Sequence, residues 1–289
     1  MERARARELA CGARLLRFDR PLVMGVLNIT PDSFSDGGRF WRGGPDLAAV
    51  RAAATAMVEA GADLLDIGGE STRPGAEPVD PQEELKRVIP VLESLADLDV
   101  CLSVDTRRPL VARAAVQAGA HLLNDVAGFR DPEMIAVLAD SDLAACVMHM
   151  RGDPQSMQVN PVYADVVTEV RAFLADRVQT LLQAGVERRR LVLDPGIGFG
   201  KRLEHNVALL RGLEALRVED LPLLVGVSRK RMIGEITGRS LDGRLAGSLA
   251  AALLAVGFGA DLVRVHDVAE TVDALRIRNA LSFAGARLL

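Results

Sequence analysis

The chain holds 289 residues, 49% of them hydrophobic and 26% charged, with a formal net charge of −4. No apolar run reaches the roughly 20 residues that cross a bilayer, and the acidic balance offers no broad positive field to nucleic acid. The expected partners are therefore small molecules, with no membrane and no nucleic acid, and any anion must be held by a few placed groups.

The chain opens with MERARARELACGARLL, which is basic but carries two glutamates and lacks the apolar centre of an export signal. Residues 1–20 are expected to be a short helix or frayed lead-in to a domain spanning 21–289. From Pro21 onward, strand-like runs alternate with amphipathic stretches. The runs PLVMGVL, ADLLDIG, DVCLSV, HLLNDV, LAACVMH, RLVLDPG, PLLVGVS and ADLVRVH number eight, and 46–60, 82–98, 163–184 and 243–256 are among the helical stretches between them. Near-continuous apolar strands suit a parallel sheet covered on both faces. Eight rounds with no linker predict a single-domain α/β fold, a (β/α)8 TIM barrel. A flavodoxin-like or Rossmann sheet would need fewer units or a second domain.

A signature recurs where helices hand over to strands: Ala60-Gly61-Ala62-Asp63, Ala118-Gly119-Ala120-His121 and Phe258-Gly259-Ala260-Asp261. The glycine can take the left-handed conformation that ends a helix, and the strand starts at once. Asp66, Asn124 and Arg264 close the strands that follow. Asp105, Asn124, His149, Asp194, Ser228 and Arg264 should then circle one rim, the rim on which such barrels carry active sites. The three cysteines, Cys11, Cys101 and Cys146, have neither metal nor disulfide spacing. Cys101 and Cys146 sit inside apolar runs, as small core residues do.

The loops carry the chemistry. MGVLNITPDSFSDGG (24–38) follows the first strand and DIGGESTRPGAEPV (66–79) the second. SVDT (103–106), NDVAG (124–128), MHMRGDPQSMQ (148–158), LDPGIGFGK (193–201), GVSRKRMIG (226–234) and RVHDV (264–268) come after. GIGFGK (196–201) is not a phosphate-binding P-loop: it lacks the glycine four residues before the Gly-Lys pair, and Arg202 stands where Ser or Thr is needed. Taken one at a time, Asp105 also reads as a helix cap, Met148 and Phe199 as plain core, and His266 as a structural histidine.

Together, and in this order, the segments resemble the signatures of dihydropteroate synthases, from about Pro21 to the end of the chain. That resemblance implies condensation of 7,8-dihydropterin-6-ylmethyl diphosphate with p-aminobenzoate, giving 7,8-dihydropteroate and diphosphate in folate synthesis. It implies pterin contacts from Asp105, Asn124, Asp194 and Lys230, with Met148 and Phe199 as apolar walls. Carboxylates suit an N–H edge, asparagine a mixed edge and lysine a carbonyl. It implies a diphosphate site at Asn28, Arg264 and His266. Arg264 and His266 alternate along one strand and so share a face. Asn28 is also the residue associated with Mg2+, and a magnesium ion held mainly by substrate oxygens and water needs few protein ligands.

The resemblance further places Thr72, Arg73, Pro74 and Ser228 at p-aminobenzoate, and Asp36, Lys230 and Arg264 among the catalytic residues. Asp36 belongs to a closing first loop. A homodimer working in the cytoplasm is implied as well. PGAEPV shows no extra residue, so sensitivity to sulfonamides is expected. Departures from the pattern are local, at Ile197 and Arg151. A methyltetrahydrofolate-dependent methyltransferase shares a pterin-binding barrel but needs neither the RVHDV pair with Asn28 nor the STRPGA loop. A non-catalytic pterin-binding relative is the other alternative, and diphosphate release discriminates among the three.

Overall fold

The computed structural model describes residues 8–31, 40–71 and 75–281. Two short antiparallel strands, β1 (Glu8–Cys11) and β2 (Arg14–Arg17), precede eight parallel ones. These are β3 (Leu22–Asn28), β4 (Leu64–Gly68), β5 (Cys101–Asp105), β6 (Leu122–Asp125), β7 (Ala144–Met148), β8 (Leu191–Asp194), β9 (Leu224–Val225) and β10 (Leu262–Val265). The sheet runs β8-β7-β6-β5-β4-β3-β10-β9. A parallel bridge from Leu193 to Leu223 joins β8 to the start of β9 and closes the circle. All eight runs expected from the sequence are strands of this barrel.

The helices fall close to where periodicity puts them. α1 (Leu47–Ala60) is capped by Asp46, whose side chain accepts from the Ala49 amide. α2 (Pro81–Leu95) follows, capped by Asp80. α3 (Pro109–Gln117), α4 (Pro132–Ala139), α5 (Val166–Gln183), α6 (Leu203–Arg211), α7 (Arg231–Thr237), α8 (Leu245–Gly257) and α9 (Val268–Leu281) complete the outer ring. Proline at the first turn of α2, α3 and α4 suits a position where no helical hydrogen bond is lost.

The first segment corrects the expectation of a helix or frayed end. β1 and β2 form a hairpin, and its Leu9 and Cys11, both fully buried, pack with Met24, Leu64, Cys101 and Leu262 inside the barrel floor. A barrel needs its lower end filled, and alternate residues of the hairpin supply the filling. Cys11, Cys101 and Cys146 are all free and buried, as small core residues.

The recurring Gly-Ala-Asp/His joint does two jobs. Gly61, at φ +106°, ends α1 in the left-handed region, where a side chain would be strained. The polar residue two places on then takes the amide of the neighbouring strand. Asp63 accepts from Val23 N at 2.9 Å, His121 Nδ1 from Leu102 N at 3.1 Å, and Asp261 from Leu223 N at 2.8 Å. Arginines secure two of the three, Arg20 on Asp63 and Arg217 on Asp261, while Arg14 lies beside His121 and donates to Asp99 and the Leu98 carbonyl. The Arg217 clasp is the most buried, and it also binds the carbonyls of Leu221 and Gly259, pinning the short β9 to β10. Asp261→Ala should leave the buried Arg217 guanidinium with only Glu214, at 3.6 Å, as a carboxylate partner among the described residues, and cost about 2 kcal/mol, measurable as a lower urea midpoint at unchanged slope.

Candidate active site

Inward positions recur every second residue along a strand, and here they divide into layers. Leu64, Cys101, Leu122, Cys146, Val192 and Leu262 belong to the apolar floor. Two residues further along the same strands stand Asp66, Ser103, Asn124, Met148, Asp194 and Arg264. The polar ceiling opens into a cavity of about 1190 Å3 at the C-terminal ends of the strands. Asn28, Asp105, Asn124, Met148, Asp194, Phe199, Ser228, Lys230, Arg264 and His266 all line it. Asp36, Thr72, Arg73 and Pro74 lie outside the described residues.

One cation organises the ceiling. Arg264 donates from Nε to Asp66 Oδ2 at 2.6 Å and from Nη2 to Asp105 Oδ2 at 3.1 Å. Asp66 has no exposed surface and also accepts from Ser103 Oγ at 2.5 Å and Asn124 Nδ2 at 3.0 Å. Burial, and then the Asp66 carboxylate, push the Asp105 carboxyl up to about 8, while Arg264 pulls the other way. Burial opposes charge on Arg264 too, but Asp66 and Asp105 hold its pKa above the ordinary arginine value. Asp105 does not cap the next helix: the N-cap of α3 is Arg108, whose amide is met by Thr106 Oγ1 at 3.1 Å.

The second ionic group faces it. Burial raises the Asp194 carboxyl above its usual range, with Lys230 the strongest opposing influence. Burial lowers the Lys230 ammonium to about 8, against the pull of Asp194. Lys230 Nζ donates to the Ile197 carbonyl and lies 4.9 Å from the centre of the Phe199 ring. Phe199 packs on a buried cluster of Val126, Met148, Met150 and Met157, so the apolar wall is larger than Met148 and Phe199 alone.

The loop from Gly196 to Gly200 is held carbonyl by carbonyl. Lys201 Nζ binds the oxygens of Gly196 and Phe199, both at 2.9 Å, Lys230 that of Ile197, Gln158 that of Gly198 and Tyr163 that of Gly200. Gly196 has φ +67°, and a Cβ there would stand 1.9 Å from the His149 carbonyl, so only glycine fits. Lys201 is buried and points into the protein, away from any phosphate-loop role. His149 is not on the cavity rim. It is buried against Lys201, at 2.9 Å, and the edge of Phe173, and burial followed by the Lys201 charge lowers it to about 2, leaving it neutral.

Ser228 and His266 meet across β9 and β10, with Oγ 3.1 Å from Nδ1. Asn28 ends β3 beside Gly68, where a Cβ would lie 3.9 Å from both Asn28 Oδ1 and Asp105 Oδ2. No group of three or more His, Cys, Asp or Glu that could hold a metal occurs among the described residues. Behind the second loop, Glu70 receives Arg107 at 3.1 Å, Arg108 at 3.4 Å and the Val79 amide at 3.1 Å. Beneath it, Glu84 is buried with neither oxygen hydrogen-bonded among the described residues, and burial raises it to about 7.

The comparisons agree with this geometry. Residues 24–266 match the pterin binding enzyme family. Dihydropteroate synthase of Escherichia coli K12 is 47% identical over 266 residues, covering 92% of this chain and 93% of that protein. The chain belongs to the dihydropteroate synthase family. Among solved structures, the Yersinia pestis synthase in a sulfonamide drug complex superposes with a TM-score of 0.90 at 46% identity, over 94% of this chain and 98% of the other. The Burkholderia cenocepacia synthase complexed with 7,8-dihydropteroate gives 0.85 at 51% identity, over 95% and 96%. Members of this family are transferases, and this chain is one.

The sequence places Asp66 at a strand end but assigns no role to it, to Ser103, to Lys201 or to the Glu70–Arg107 pair. Strand alternation was the available signal for the first two, since Asp66 and Ser103 face inward one layer above the apolar floor. The ionic pattern makes a prediction. Arg264→Ala removes the counter-charge of two carboxylates and should destabilise the fold by about 3 kcal/mol. The loss should be larger at pH 9 than at pH 6, because protonating Asp105, raised already to about 8, relieves the repulsion. Urea unfolding at the two pH values measures the difference.

Proposed function

We propose that the cavity joins 7,8-dihydropterin-6-ylmethyl diphosphate to p-aminobenzoate, with the pterin seated between the Asp105–Asn124 side and the Asp194–Lys230 side. The reaction is a dihydropteroate synthesis, in which diphosphate leaves the pterin methylene and the arylamine nitrogen takes its place. The observation that carries this reading is the ring of inward polar groups above an apolar floor: carboxylates for ring N–H groups, an ammonium for a ring carbonyl, and a Met/Phe wall for the ring face. Its support from relatives is the Burkholderia cenocepacia enzyme, whose structure holds 7,8-dihydropteroate.

Arg264, His266 and Asn28 receive the diphosphate. The amine is neutral near pH 7, so no strong base is needed. Diphosphate departs first with the C–O bonding pair, the amine captures the delocalised pterin cation, and the acidic arylammonium so formed gives its extra proton to water. The protein's contribution is position and electrostatics: Arg264 and His266 stabilise charge growing on the leaving oxygens, while the acidic ceiling favours the cation. Asn28, at the end of β3, is the residue that would hold a magnesium ion bound mainly by diphosphate oxygens and water, and the ion would supply charge neutralisation to the leaving group. Ser228 borders the p-aminobenzoate side, where Thr72, Arg73 and Pro74 of the second loop and Asp36 of the first belong by family motif. Sulfonamides compete there, as the drug complex of the Yersinia pestis relative supports.

The protein acts as a cytoplasmic homodimer. α8 and α9 expose Leu254, Phe258 and Ile277, an apolar face suited to a second copy. No described helix is long and apolar enough to cross a membrane.

The first experiment is diphosphate release from purified protein given pterin diphosphate, p-aminobenzoate and Mg2+. Release that needs all three components is expected; folded protein that binds pterin without release overturns the reading. Asp194→Ala should abolish pterin binding and leave the fold intact, which calorimetry and circular dichroism check together. Turnover should fall as pH rises through about 8, because the Lys230 pKa is lowered to that value and its ammonium is lost above it. Lys230→Arg should move that decline to higher pH.

A further inference from the structure

Asp66 does not line the cavity, yet it is the most connected side chain of the ceiling. Its carboxylate, without exposed surface, accepts from three strands: Ser103 on β5, Asn124 on β6 and Arg264 on β10. The first partner is in register with it on the neighbouring strand. The other two are cavity residues. A carboxylate accepts and does not donate, so it draws the Nδ2 end of the Asn124 amide and repels the Oδ1 end. One Asn124 N–H is committed to Asp66, and Oδ1 is turned away from it.

We infer that Asp66 is a positioning residue: it fixes which end of the Asn124 amide meets the ring and where the Arg264 guanidinium stands between ring and diphosphate. The inference deepens the pterin reading and rests on it. With Asn124 held this way and Asp105 paired with it on the adjacent strand, this side of the cavity presents a surface rich in acceptors once Asp105 is ionised. Such a surface selects a heterocycle edge of N–H and exocyclic amine and disfavours an edge of carbonyls, which would set oxygen against oxygen. Were Asp66 neutral, the amide could turn over, and Arg264 would have Asp105 as its remaining carboxylate partner in the pair described.

A second consequence follows for Asp105. Its carboxyl is faced by Asp66 from β4, Arg264 from β10, Glu84 from α2 and Asp125 from β6. Removing the Asp66 charge takes away a repulsion and leaves more of Arg264 to Asp105. Asp105 should then ionise at lower pH.

The test is Asp66→Asn, with 6-hydroxymethyl-7,8-dihydropterin as the binding probe and steady-state kinetics on both substrates. Pterin affinity should weaken at least about tenfold, KM for p-aminobenzoate should stay within about twofold, and the acid limb of pterin binding should move to lower pH. A residue that only stabilised the fold would lower the unfolding midpoint and leave affinity and pH profile in place. That outcome overturns the inference. Ser103→Ala, a smaller cut in the same cluster, carries the test if Asp66→Asn does not fold: about threefold weaker pterin binding is expected, and unchanged affinity counts against the role. Asn124→Ala separates the two levels. If it weakens pterin binding while Asp66→Asn does not, this inference fails and the pterin reading stands; if neither variant alters binding, the pterin reading itself fails.

Discussion

Arg264 stands as one cation between two carboxylates, Asp66 and Asp105, at the point where an apolar barrel interior turns polar. Groups so close together are tolerable only because each is met: burial and the Asp66 charge keep Asp105 protonated up to about pH 8, and removing the partner of a buried charge would cost several kcal/mol. The surroundings answer to that constraint. Ser103 and Asn124 fill the remaining acceptor positions of Asp66. Asp105, only partly compensated, sits high in its titration range, and the opposing pair Asp194 and Lys230 is arranged on the same principle. A ligand entering this space meets groups whose orientation is already set, which is how a site avoids reorganising during reaction.

The scaffold provides the rigidity that such a site requires. Below the charges, strand side chains and the N-terminal hairpin make a packed floor with Leu9 and Cys11 as its plug. At the strand starts, Asp63, His121 and Asp261 tie each strand's neighbour by a backbone amide, with an arginine locking the two aspartates. At the strand ends, the Gly196–Gly200 loop has its carbonyls taken by side chains from several elements. Backbone so fully committed moves little, and Phe199 is thereby held as a fixed wall.

Much of this was legible in the chain. Eight apolar runs separated by amphipathic stretches, with Gly-Ala-Asp joints, specify strand–helix alternation by local physics: period, capping and the left-handed freedom of glycine. Asp105, Asn124, Asp194 and Arg264 fall at strand ends, Lys230 is marked by the resemblance of its motif alone, and all five line one cavity. The N-terminal hairpin is not legible in the chain, because its alternating burial makes sense only against a barrel floor that the segment itself does not contain. His149 was placed on the rim by its strand-end position, but the residue after a strand can turn either way, and Lys201, 52 positions on, turns it inward.

The (β/α)8 alternation, the rim on which polar residues gather and the family to which their motifs belong are written in neighbouring residues or short spacings. Which charges share a counter-ion is not. Arg264 and Asp66 are 198 positions apart in the chain, and Arg264 and Asp105 are 159 apart. Their pairing arises from closure of the sheet through β3, which sets β4 and β10 on either side of one strand. Pairing across a closed barrel is a property of the circle, and no local stretch of chain encodes it.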